Sequence, residues 1–128
     1  GQFADGCGEV IKHAMIADAE LFEELELTPL TPALLKQDLS RVAWLIARNI
    51  DIKRAVVVED ERESGLRKLL NFGHSIGHGV EAAEQYRMGH GTCVGIGMVA
   101  IASASVTAEI CPEDVPERLA SLLVRNGL

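Results

Sequence analysis

Aromatic side chains are scarce: Phe3, Phe22, Trp44, Phe72 and Tyr86 are 4% of the 128 residues. The 48% hydrophobic content must therefore be filled by Ala, Val, Ile and Leu, a mixture suited to packed helices. Basic residues are in deficit too. Twelve Lys and Arg against 19 Asp and Glu leave a net charge of −7, which argues against nucleic acid as a partner, because binding to its backbone is driven by clustered cations. Cysteine is sparse and odd in number: Cys7, Cys93 and Cys111 lie far apart and form no Cys-x-x-Cys pair. That excludes a disulfide framework and points to a reducing, cytoplasmic setting. The amino terminus lacks the basic, apolar and small-residue succession of a signal peptide. The most apolar stretch, Cys93 to Ala108, falls short of the ~20 residues of a span and carries Ser103, Ser105 and Thr107. It predicts a buried central helix and no membrane partner.

What is present is helical periodicity. From Asp5 to Glu26, Val10, Ile11, Ala14, Met15, Leu21, Phe22 and Leu25 form one stripe, with a break expected near Asp18. Thr28-Pro29-Leu30-Thr31-Pro32 stops it, and Thr31 before Pro32 is a cap and first residue for a second helix carrying Leu34, Leu35, Leu39, Val42, Leu45, Ile46 and Ile50. Val56-Val57-Val58 is the only β-branched run; residues 55–59 are either a short extended segment or the buried end of that helix. The acidic run after it reads as an exposed connection, with Ser64 capping a helix through Leu70. Further helices are expected over Ser75 to Gln85, from Gly91, and after Cys111-Pro112 to about Asn126. There is no internal repeat and no flexible linker. The fold class is all-α, a single helical domain over 1–128.

Three of the four histidines, His74, His78 and His90, fall within seventeen residues. His74 and His78 are one helical turn apart and share a face, and His90 can approach from the start of the next helix. Nitrogen donors of this kind suit a divalent metal with an open coordination position. Gly73, Gly77 and Gly79 beside them each cost roughly 1 kcal/mol in a helix relative to Ala, which makes sense if backbone or ligand must approach closely. A pair of hydrogen-bonded core histidines is the plainer reading of the spacing alone. Carboxylates are plentiful, so spacing does not choose a further ligand; Glu9 stands out through Lys12 three residues on, a pair equally compatible with an intrahelical ion pair.

Taken together, Gly8-Glu9-Val10-Ile11-Lys12, the run from Lys53 through Asp60-Glu61-Arg62-Glu63-Ser64-Gly65-Leu66-Arg67, and Leu70-Asn71-Phe72-Gly73-His74-Ser75-Ile76-Gly77-His78 with His90-Gly91 resemble the 3-dehydroquinate synthase family, in the order that family uses. The resemblance implies the C-terminal helical part of a two-domain lyase of the shikimate pathway of aromatic amino acid biosynthesis. That enzyme closes 3-deoxy-D-arabino-heptulosonate 7-phosphate into 3-dehydroquinate and releases phosphate. It also implies a zinc or cobalt ion held by Glu9, His74 and His90, with His78 a neighbour of the substrate and not a ligand. Lys12, Lys53, Glu63, Arg67, Asn71 and His78 would surround the sugar phosphate, with Lys12 and His78 catalytic. NAD would be bound mainly by an amino-terminal domain absent from this sequence, as is the extreme carboxy-terminal part. The parent would be a homodimer and the 128-residue chain inactive by itself. Gly95-Ile96-Gly97-Met98-Val99-Ala100 matches a dinucleotide fingerprint by letter, but it lies in an apolar helical run with no strand before it. Other sugar-phosphate cyclases, metal-dependent alcohol dehydrogenase relatives, or a non-catalytic helical interaction module are the alternatives; Asn71 with His78 favours the synthase.

Overall fold

The computed structural model describes residues 2–60 and 65–128. They form seven α-helices and a 3₁₀ turn, with no strand among the described residues: α1 (Gln2–Ala17), α2 (Ala19–Leu27), α3 (Leu34–Gln37), α4 (Leu39–Glu59), the 3₁₀ turn (Leu66–Asn71), α5 (His74–Ala83), α6 (His90–Thr107) and α7 (Val115–Arg125). The all-α class holds.

Local signals account for most of the boundaries. Asp18 separates α1 from α2 and caps the latter, its carboxylate accepting the Leu21 N–H at 3.0 Å. The Thr31 hydroxyl accepts from the Leu34 N–H at 3.3 Å ahead of α3. Asp38 divides what the periodicity presents as one helix, ending α3 and capping α4 by accepting from the Arg41 N–H at 2.9 Å.

The valine run is not extended. Residues 55–59 complete α4, where Val56 extends the buried positions Leu45 and Ile52 while Val58 is 64% exposed. A helix already in register for four turns overrides a weak β preference over three residues. The expected helix from Ser64 to Leu70 is instead the 3₁₀ turn, and Ser64 itself lies outside the described residues. Nor is the acidic connection simply exposed: Asp60 is buried, and its Oδ2 accepts from the N–H groups of Gly65 at 2.8 Å and Arg67 at 2.9 Å.

The core gathers Ile11 and Ala14 of α1, Leu21 and Leu25 of α2, Leu45 and Ile52 of α4, Val94 and Met98 of α6, and Leu119 and Leu122 of α7. At its centre α6 packs against α1, α5 and α7. By length and composition it is the one helix among the described residues able to cross a membrane, but those contacts make it a core helix. Its burial runs from Gly91 to Ala102; beyond that, Ser103 and Thr107 donate to carbonyls of their own helix. The predicted stripe on α4 is less buried than its periodicity suggests. Leu39, Ile46 and Ile50 are exposed, next to an apolar groove of about 450 Å³ between α1, α3 and α4.

Charged pairs tie the helices at the rim. Arg48 of α4 grips Asp18 through two nitrogens, and Arg118 of α7 holds Glu26 of α2 at 2.9 and 2.6 Å. The Arg48 hydrogen bond holds the Asp18 carboxyl below its ordinary value of 3.8, against the opposing effect of burial. A carboxyl whose pKa is depressed on folding contributes stability above its unfolded pKa, and that contribution is lost as pH falls through the folded value. In urea titrations, Asp18→Ala should lower the unfolding free energy by about 1–2 kcal/mol at neutral pH, the scale of a lost cap. Asp18→Asn should flatten the acid limb of the stability curve, below about pH 4.

Candidate metal centre

Gly8 and Glu9 stand three and four residues after Asp5, and Lys12 four and three after them, so all four share a face of α1. That face meets the start of α6. A Cβ added to Gly91 would stand 2.6 Å from the Asp5 Cα, and one added to Gly8 3.1 Å from the Gly91 Cα, so the helices cross with almost nothing between them. The Asp5 carboxylate accepts the Gly91 N–H at 2.7 Å, giving the α6 amino terminus an acceptor and a favourable negative charge from another helix. His90, the first residue of α6, is thereby set beside Glu9's helix.

The second close contact joins α5 to α6. Gly73, with φ +81°, turns the chain from the 3₁₀ segment into α5. A Cβ on Gly97 would lie 2.0 Å from the Gly73 carbonyl oxygen, and one on Gly77 3.0 Å from Val94 Cα. The glycines beside the histidines are therefore packing positions, except Gly79, which would meet nothing within 4 Å.

These two crossings gather the imidazoles. Ring centroids are 5.3 Å apart for His74 and His90, 5.6 Å for His74 and His78, and 5.8 Å for His78 and His90. Two overlapping sets result: Glu9, His74 and His90, and His78, Glu81 and His90. Within each, the potential ligand atoms lie within 4.8 Å of one another. The helical pair His74 and His78 thus divides between the sets, with His90 common to both.

In the first set, Glu9 Oε1 stands 3.7 Å from His74 Nε2, and Glu9 Oε2 accepts from Lys12 Nζ at 2.7 Å. Lys12 is buried, so this intrahelical pair compensates an ammonium withdrawn from water. His74 Nδ1 is 3.3 Å from the Phe72 carbonyl oxygen, a bond that leaves the lone pair on Nε2, toward Glu9. Burial pushes the His74 pKa down, keeping the ring in the neutral form that metals bind. Two imidazole nitrogens and one carboxylate oxygen are a donor set that suits zinc or cobalt with room for another ligand.

Beside this set lies a cleft of about 400 Å³. Lys12, Lys53, Arg67 and Asn71 line it together with Glu9 and His74, and so does Lys68. Four cations converge there in a chain of net charge −7, an arrangement suited to a small multiply charged anion. His78 and His90 are not among its lining residues; His78, 62% exposed, and His90 are held by the Glu81 carboxylate instead. Glu63 lies outside the described residues. Sequence reasoning missed Asp5, Asp60, Lys68 and Glu81. Only Glu81 carried a local signal, three residues after His78 on one helix face.

The Gly95–Ala100 string is no nucleotide loop. It lies within α6, Gly97 faces the Gly73 backbone, and a Cβ on Gly95 would meet Leu123 at 3.1 Å, leaving no space for a pyrophosphate.

Comparison with known proteins matches residues 6–128 to the family described as 3-dehydroquinate synthase C-terminal. Among curated relatives, the 3-dehydroquinate synthase of Nostoc sp. is 40% identical over 128 residues and that of Synechococcus sp. 38% over 128, in each case 99% of this chain and 35% of the relative. That of Acetivibrio thermocellus is 37% identical over 123 residues, 96% of the chain and 34% of the relative. The chain thus spans about a third of the length of these relatives.

Gly97→Ala should separate α5 from α6, because backbone cannot yield as a flexible side chain would. The expected loss is at or above the top of the ~1–3 kcal/mol range for overpacking, read by thermal melts. Gly79→Ala, made next to open space on α5, should be neutral or slightly stabilising.

Proposed function

The chain belongs to the 3-dehydroquinate synthase C-terminal family, and on that premise we propose that it is the metal- and substrate-binding part of a 3-dehydroquinate synthase. The reaction would be conversion of 3-deoxy-D-arabino-heptulosonate 7-phosphate to 3-dehydroquinate and phosphate, in the cytoplasmic shikimate pathway and in a homodimeric parent. The observation that carries this reading is the convergence of Glu9, His74 and His90 at the edge of a cleft lined by Lys12, Lys53, Arg67 and Asn71.

In this proposal Glu9, His74 and His90 hold zinc or cobalt. Such an ion, when bound, lowers the pKa of substrate hydroxyls that meet it and stabilises developing alkoxide charge. The chain's own residues bind and orient the sugar phosphate. Lys53 and Arg67 neutralise its carboxylate and phosphate, Arg67 through a planar fork suited to both groups. Asp60 fixes the Arg67 backbone through the hydrogen bond at 2.9 Å and so sets where that fork starts. Asn71 offers an amide to a hydroxyl. Lys12, anchored on Glu9, presents its remaining protons to a substrate oxygen. His78, with Nδ1 tied to Glu81 at 2.8 Å, exchanges a proton at Nε2 with a substrate oxygen. The described residues do not fit NAD, for want of a strand and of space around the α6 glycines. NAD is therefore assigned to the part of the longer enzymes that this chain does not cover, and no step is derived through it.

One equivalent of zinc or cobalt per chain is expected by metal analysis. Glu9→Ala, His74→Ala and His90→Ala should each strip it, while His78→Ala retains it; the reverse for His78 and His90 would overturn the ligand set. Phosphate release from the heptulosonate phosphate with NAD and zinc is expected of a full-length enzyme carrying this sequence. Turnover by the 128-residue chain by itself would defeat the two-part assignment.

A further inference from the structure

Glu81 belongs to the second cluster and touches His90, the residue the two clusters share, whereas the proposed reaction uses it only to hold His78. Its two oxygens are divided between two imidazoles: Oε2 lies 2.8 Å from His78 Nδ1 and Oε1 2.9 Å from His90 Nδ1. The Glu81 side chain is the covered member of the trio at 13% exposure, against 62% for His78 and 40% for His90. An ionised carboxylate only accepts, so each nitrogen facing it must carry its hydrogen. The neutral ring then keeps its lone pair on Nε2.

We propose that Glu81 is a positioning residue that locks His78 and His90 together in the Nδ1–H form, so that one carboxylate aims both the metal nitrogen of His90 and the proton-exchanging nitrogen of His78. This rests on the ligand set and the role of His78 proposed above. His74 reaches the same form by a different route, through the Phe72 carbonyl. All three imidazoles are thus held from the Nδ1 side, two of them by a group that ties α5 to the first residue of α6.

The same residues could instead hold a second cation, but the distances favour hydrogen bonds. Across a tetrahedral metal with bonds of ~2.1 Å, ligand atoms stand roughly 3.4 Å apart. The observed 2.8 and 2.9 Å separations are those of direct N–H donation to a carboxylate.

The test reads the tautomers directly, in the metal-free chain at pH 8, by long-range ¹H–¹⁵N spectra of the imidazoles. His78 and His90 are both expected with protonated Nδ1 and bare Nε2. In Glu81→Gln an oxygen keeps one of the two carboxylate positions and an NH₂ group takes the other, so one ring still faces an acceptor and the other is asked for a lone pair. One imidazole should therefore switch to Nε2–H, and where that ring is His90 zinc affinity should fall about 10–100-fold with helicity unchanged. An Nε2–H ring in the wild-type chain, tautomers unmoved by Glu81→Gln, equal zinc affinity of the two proteins with His90 switched, or uptake of two zinc ions would each overturn the proposal. The wild-type spectrum decides even if the variant fails to fold. A wild-type chain with the expected tautomers but no zinc uptake would instead sink the ligand set of the proposed function.

Discussion

Helices ordinarily pack with axes about 8–10 Å apart, a spacing set by the side chains between them. Between α5 and α6 that layer is missing: the Gly73 carbonyl oxygen occupies the space a Gly97 side chain would need, and Gly77 lies directly on Val94. The rest of the site depends on this contact. His74 begins α5 immediately after Gly73, so its reach toward Glu9 and His90 is decided where two backbones touch. At the other crossing, Gly8 and Gly91 play the same part for Glu9 and His90. Four glycines in helices cost roughly 1 kcal/mol each against Ala, and the contacts they permit offset that loss.

Electrostatics follows from the same geometry. The excess of acid is not spread idly over the surface: Asp5, Asp18, Asp38 and Asp60 each accept backbone N–H groups at the start of a helix or turn. Carboxylates placed in this way fix the backbone, while Lys12, Lys53, Arg67 and Lys68 line one cleft. An acidic chain can therefore hold an anion, because within about 10 Å the local arrangement of charge outweighs the net value.

The fold was legible where the signal is local. Composition and a 3.6-residue period sufficed for the helices, Asp18 for the first break, and Thr28 to Pro32 for the turn. The exposed face of α4 was not legible, since periodicity shows that an apolar face exists and not whether anything covers it. The split at Asp38 escaped because an aspartate within a continuous stripe reads as a surface residue until its capping bond is seen. At the site, the His-x-x-x-His spacing and the dense glycines marked the place. The ligand grouping did not follow from spacing, which favours the helical pair; it came from the family resemblance, and Glu9, His74 and His90 are one of the two sets whose donor atoms lie within 4.8 Å of one another. Asp5 and Asp60 were invisible because their partners depend on tertiary placement: Asp5 caps a helix 86 positions away, and Asp60 holds a turn expected to be a helix.

The metal set and the anion cleft are held by different means. Glu9, His74 and His90 come from α1, α5 and α6, the helices that share the core and the glycine crossings. A displacement of any one would have to open a close-packed interface, and interiors at this density resist that. The cleft draws Arg67, Lys68 and Asn71 from a 3₁₀ turn held at its start by Asp60 and carrying no buried residue of its own. Local opening costs least where little apolar surface is buried. The rigid half thus supplies donor atoms whose spacing must match an ion to within tenths of an ångström. The looser half supplies long cationic side chains, whose reach, in the proposed function, would let them follow the substrate anion as it changes shape.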